Sequence, residues 1–65
     1  MTRKDVARRV AARRRLHETA AAVASIHGGL KLERLVREAH PELVALVGER
    51  ELEAIVEVVT GPLAS

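Results

Sequence analysis

Residues 2–27, TRKDVARRVAARRRLHETAAAVASIH, decide the fold of this 65-residue chain. Neither glycine nor proline interrupts them, and alanine, arginine, leucine and glutamate are strong helix formers. Thr2 or Asp5 can cap the start of a helix, and the pair Gly28-Gly29 can supply the left-handed position that ends one. The stretch therefore predicts a first helix of about 25 residues, roughly twice the mean length in globular proteins.

The larger apolar side chains of this predicted helix form two separate patches. At about 100° per residue, Leu16, Val23 and Ile26 share one side, whereas the patch of Val6 and Val10 is centred roughly a third of a turn away. One neighbouring element cannot cover both patches of a straight helix. We therefore expect the first patch to enter the core, and the valines to form a surface for a partner subunit.

Three shorter helices are predicted after the glycine pair, over residues 30–39, 41–47 and 49–60. The apolar positions of the first of them recur at i, i+3, i+4 and i+7, which is typical of a helix packed through one face. Pro41 and Gly48 separate these helices, and Gly61-Pro62 is expected to end the last one. The predicted fold class is all-α: a long N-terminal helix packed on a short helical hairpin, with three to four helices in an oligomeric bundle.

A single domain over residues 1–65 is expected, with a basic arm (1–15), a helical core (16–60) and a tail (61–65). A chain of this size buries a limited core and has no cysteine for a disulfide, so we expect a homo-oligomer, first of all a dimer. Ala54 and Val58 form a second apolar face on the last helix, and together with Val6 and Val10 they are the predicted oligomer interface. The predicted core comprises Leu16, Val23, Ile26, Leu32, Leu35, Val36, Leu43, Leu46, Leu52, Ile55 and Val59.

The charges of the sequence divide into a basic beginning and an acidic remainder. Residues 1–16 contain seven cations and one acid, whereas residues 17–65 contain four cations and eight glutamates. Such asymmetry indicates a polyanionic partner or attraction between the arm and an acidic protein surface. The predicted binding residues are the seven cations of the arm: Arg3, Lys4, Arg8, Arg9, Arg13, Arg14 and Arg15.

Two classes of function are compatible with this arm. The first is a small regulator that binds duplex nucleic acid, because arginine side chains suit phosphates and phosphate contacts release counterions. The sequence has no aromatic residue to stack single-stranded bases, and no asparagine or glutamine to read adenine. The second is a protein-interaction module, such as an assembly adaptor, an antitoxin-like inhibitor or a phage accessory protein, whose arm docks on an acidic protein surface.

Known DNA-binding helical motifs fit the sequence poorly. Arg34 and Arg37 stand where a helix-turn-helix would place apolar side chains, and Arg50 stands where a helix-hairpin-helix would place its second glycine. Duplex binding, if it occurs, is therefore expected from the basic helix itself.

Catalysis is not indicated by the residues present. Ser25 and the three threonines have no acid–histidine arrangement around them, and His17, His27 and His40 have no metal-ligand spacing. We accordingly expect no enzyme activity, no metal, no cofactor and no small-molecule substrate. No stretch has the roughly 20 apolar residues of a membrane span, and a cytoplasmic location is expected.

Overall fold

The computed structural model describes residues 2–64, with side chains over residues 2–61. It contains four helices: α1 (Arg3–His27), α2 (Leu32–Ala39), α3 (Pro41–Val47) and α4 (Glu49–Ala64). The prediction of an all-α fold with a long first helix packed against shorter ones is confirmed. The oligomeric part of that prediction stays a prediction.

Helix α1 begins where its cap residues predict. The Thr2 Oγ1 accepts a hydrogen bond from the Asp5 backbone N–H at 3.2 Å, and the Asp5 carboxylate accepts one from the Thr2 backbone N–H at 3.3 Å. This reciprocal pair is a capping box, which satisfies two donors at the helix start. The arm is thus helical from its third residue, and Asp5, its one acid, is engaged at the cap.

The second helix starts later than predicted. Residues 28–31 form the turn after α1, in which Gly28 has a φ of +71° and Lys31 a φ of +58°. The left-handed backbone of Lys31 prevents Leu30 from joining α2, and Leu30 is 74% exposed. Helix α2 therefore spans Leu32–Ala39 rather than residues 30–39, whereas α3 has the predicted bounds.

The fourth helix ends later than predicted. Its backbone continues through Gly61 and Pro62 to Ala64, so the expected stop at this pair and the separate tail over 61–64 were wrong. A proline lacks its backbone N–H, and close to the end of a helix this removes a single backbone hydrogen bond, so the helix can continue. Ser65, the last residue of the predicted tail, lies outside the described residues.

The core lies where α1 crosses the three shorter helices. Five of the predicted core residues are buried, and four more are half-buried against them. Leu35 is half-buried. The buried residues are Ala12, Leu16, Ala20, Ala24, Leu32, Val36, Val44, Val47, Leu52 and Ile55; the half-buried predicted residues packed on them are Val23, Leu43, Leu46 and Val59.

Ile26 was wrongly predicted to enter the core, since its side chain is 77% exposed. Helix α1 packs instead through Ala12, Leu16, Ala20 and Ala24, which follow each other at intervals of four residues. Each residue of this row is rotated by about 40° around the helix axis relative to the one before it. Ala24, the last residue of the row, therefore lies on the side of the helix opposite Ile26. The small alanines allow the other helices to approach α1 closely, and the buried row also begins four residues earlier than the predicted core.

Candidate nucleic-acid interface

Helices α1 and α4 lie side by side and point in the same direction. Arg13 in the first half of α1 pairs with Glu51 near the start of α4, with 3.3 Å between Nε and Oε2. Near the other end, Gly29, just beyond α1, lies next to Thr60 of α4. Because α1 is about 37 Å long at 1.5 Å per residue and the molecule measures 39 × 21 × 17 Å, α1 extends along its whole length.

All seven predicted cations of the arm are exposed, but they do not form one site. Arg9 and Arg13 lie on the side of α1 that faces α4. Arg8 and Arg15 line a shallow hollow between α1 and α3, together with His40.

Five of the cations occupy the side of α1 that faces away from the core. At about 100° per residue they fall within an arc of roughly 140° centred on Ala7 and Ala11, both of which are exposed. Arg3 and Arg14 form one edge of this arc, and the remaining three cations form the other edge. We call this surface the outer basic face; its cations are Arg3, Lys4, Arg8, Arg14 and Arg15.

The outer basic face has free positive charge. Within the part of the chain whose side chains are described, Arg13 is the one arm cation in an ion pair; the other pairs join residues of α2, α3 and α4 or their connections. The Asp5 carboxylate is held by the helix cap. Exposed like charges along one helix repel each other.

Two of the glutamates are bound to one arginine away from the outer basic face. Arg37 of α2 donates hydrogen bonds to Glu49 of α4 and, at 2.7 Å, to Glu33 of its own helix. These hydrogen bonds raise the pKa of the Arg37 guanidinium, Glu49 having the larger effect. The cluster ties α2 to the start of α4 and lies apart from the outer basic face.

The predicted interface residues are brought together on one surface. Val6 and Val10 of α1 are 48% and 57% exposed, and Val58 of α4 is 63% exposed. Val6 and Val10 line one shallow hollow together with Val47, and Ala54 and Val58 line a second one. Arg13 and Glu51 contribute to both hollows, so the ion pair lies between them.

Sequence reasoning missed three members of this surface: Val47, His17 and Glu51. The i+4 relation of His17 to Arg13 would have placed it on the same side of α1. Val47 could not have been found in this way, because its position depends on how α3 turns into α4.

No protein-family model, curated protein or solved structure matches this chain. Among the described residues, no helix is long and apolar enough to cross a membrane. Within the same residues, no three histidine or carboxylate side chains are close enough to hold a metal ion. The geometry therefore defines a small helical bundle with a basic helix face and, next to it, an apolar surface.

Proposed function

We propose that this protein is a small non-catalytic helical oligomer, a dimer first of all, that binds duplex nucleic acid through the outer basic face of α1. The observation that supports the proposal is the placement of five cations around Ala7 and Ala11 without ion pairs among the described residues. The small alanines between the two edges of cations allow a phosphate backbone to approach the helix.

The length of the face matches several phosphates. Residues 3–15 rise about 18 Å along the helix axis, and duplex DNA has one negative charge per roughly 1.7 Å of its axis. With five contacts, the logarithm of the binding constant would fall with the logarithm of salt concentration with a slope of about −4.5. Binding of this kind selects little among base sequences, because phosphate contacts contain no sequence information.

The test is fluorescence polarisation of a labelled duplex between ~50 and ~200 mM salt, where phosphate contacts lose much of their strength. Changing Arg8 and Arg15 to Ala removes two cations of the outer basic face, and the slope should become less steep by about 2. The matched control removes two exposed cations elsewhere, Lys31 and Arg50, with the same change in net charge. The proposal is contradicted if the wild-type protein does not bind the duplex at ~50 mM salt. It is also contradicted if the salt slope becomes less steep by the same amount in both double variants.

A second candidate is a protein-interaction module, and the hollow between α1 and α3 favours it. It is lined by the apolar side chains of Ala11, Leu43 and Leu46 and by the charged side chains of Arg8, Arg15 and Glu42. An amphipathic segment of a partner protein whose acidic residues reach the two arginines would fit this hollow. Changing Leu43 to Ser should weaken protein docking while leaving duplex affinity unchanged. Because Leu43 also packs on the core, the comparison is made at a temperature where circular dichroism shows that the variant is fully helical.

A further inference from the structure

The apolar surface between α1 and α4 points to a second copy of the chain. We infer that this surface, here called the α1/α4 strip, pairs with itself so that α1 of each copy lies on α4 of the other, with all four helices parallel. The strip consists of the two hollows and the ion pair between them; its members are Val6, Arg9, Val10, Arg13, His17, Val47, Glu51, Ala54 and Val58. The inference specifies the dimer included in the proposed function, but it does not depend on phosphate binding.

The amount of exposed surface fits one missing neighbour. The chain exposes 4786 Å², whereas a compact monomer of 7.1 kDa is expected to expose about 4,100 Å². The excess of about 700 Å² is close to the ~800 Å² that each partner buries in a standard interface. The face of the molecule that measures 39 × 21 Å has a projected area of about 800 Å², so the strip and its surroundings are large enough.

The strip can be laid on itself face to face in two ways. A two-fold axis across the helices places α1 on α1 and α4 on α4, with the helices antiparallel. A two-fold axis along the helices places α1 on α4, with the helices parallel. Both arrangements are isologous, so apolar contact alone does not distinguish them.

The ion pair in the middle of the strip selects the second arrangement. With the axis across the helices, Arg13 would face Arg13 of the other copy, and Glu51 would face Glu51. With the axis along the helices, each Arg13 faces Glu51 of the other copy and also pairs with Glu51 of its own chain. The four side chains lie at one height, and their charges alternate in sign around a ring. Like charges that meet across an interface repel each other, whereas alternating charges attract.

The edges of the strip favour the same arrangement. At about 100° per residue, Arg3 and Arg14 lie beyond Val10 on the outer edge of α1, and Glu57 lies beyond Val58 on the outer edge of α4. Laying α1 on α1 would bring the arginine edges of both copies together. Laying α1 on α4 brings each arginine edge to an edge that contains Glu57, in addition to Arg50.

Cysteine cross-linking distinguishes the two arrangements, because the chain has no cysteine of its own. His17 and Ala54 lie at the same level of the strip, on α1 and α4 respectively, and both are exposed. When His17→Cys protein is mixed with Ala54→Cys protein under mild oxidation, we expect a disulfide between the two. Val10→Cys mixed with His17→Cys should remain unlinked, since both positions lie on α1 and differ by about 10 Å in height.

Light scattering at micromolar concentration supplies the second measurement, with a mass of two chains expected. Val58→Lys should weaken the dimer at least tenfold. Ile26→Lys, which changes a side chain that is also mostly exposed but lies outside the strip, should not. Cross-linking of the Val10 and His17 variants alone, a dimer without either cross-link, or a monomer at every concentration would each overturn the inference. Duplex binding by a monomer would at the same time leave the proposed function of the outer basic face intact.

Discussion

The exchange of Leu16 for alanine tests how α1 packs on the other helices. Leu16 is 0% exposed in the buried row of α1. Removing its isopropyl group and leaving a cavity costs about 3 kcal/mol. The free energy of unfolding of a domain of this size is on the order of 3–10 kcal/mol, so the variant should lose a large part of its stability. Its Tm should fall by about 12–24 °C.

Ile26→Ala is the matched control. Sequence reasoning placed Ile26 and Leu16 in the same core patch, but Ile26 is 77% exposed. Its truncation should change the free energy of unfolding by no more than about 0.5 kcal/mol, and the higher helix propensity of alanine offsets part of any loss.

Thermal unfolding should be followed by far-ultraviolet circular dichroism, because the chain has no tryptophan, tyrosine or phenylalanine to serve as a fluorescent probe. All proteins should be compared at one concentration, since dimer formation raises Tm by mass action. An equal loss of Tm in both variants would show that Ile26 is covered and that α1 does not pack through the four-residue row. A Leu16→Ala protein as stable as wild type would refute the assigned core.

Five further outcomes are expected. Gly48→Ala should lower the free energy of unfolding by about 1–3 kcal/mol, because a φ of +96° strains any residue other than glycine. Gly61→Ala should raise it by about 0.5–1 kcal/mol, because Gly61 lies inside α4 and has open space at its Cβ position. Thermal unfolding measures both. Thr2→Ala removes the side-chain cap of α1, and in the same assay it should lower the free energy of unfolding by about 1 kcal/mol. Arg37→Ala should lower Tm by the same amount at neutral and at mildly alkaline pH. The pKa of Arg37 is raised in the folded protein, so its stabilisation is fully present below the pKa of the unfolded chain. It is lost only as pH rises through the still higher pKa of the folded protein, far above neutral. Finally, the two outer basic faces of the inferred dimer point in opposite directions, so one dimer should hold two duplexes together. Energy transfer between donor- and acceptor-labelled duplexes should therefore rise when wild-type protein is added, and it should rise less with Val58→Lys protein.

Local signals in the sequence predicted most helix boundaries. The Thr2–Asp5 cap, the glycine pair after His27 and the proline at the first position of α3 each act through backbone chemistry within a few residues, and these boundaries agree with the structure. The start of α2 was missed because a left-handed lysine backbone has no clear sequence signal. The end of α4 was missed because a glycine–proline pair weakens a helix without always ending it.

The core of α1 was harder to predict than its boundaries. Large side chains were expected to define the buried face, and this favoured Ile26 over Ala20 and Ala24. In a four-helix arrangement, however, three short helices must approach one long helix closely, and a row of alanines permits this where a row of larger residues would not. Which face of α1 is buried thus depends on the neighbours, and the hydrophobicity of each residue alone does not determine it.

The basic face follows from the unequal lengths of the helices. Helix α1 is about 37 Å long, whereas α2 and α3, with eight and seven residues, are only about 12 and 10 Å long. Together with α4 they cover one side of α1 and leave its other side exposed. The number of cations was evident in the sequence, but their division was not: Arg13 is used to join α1 to α4, and Arg9 lines the α1/α4 strip. Five cations then remain for a ligand on one side of α1, next to a strip suited to a second copy, so one helix can serve binding and assembly through different faces.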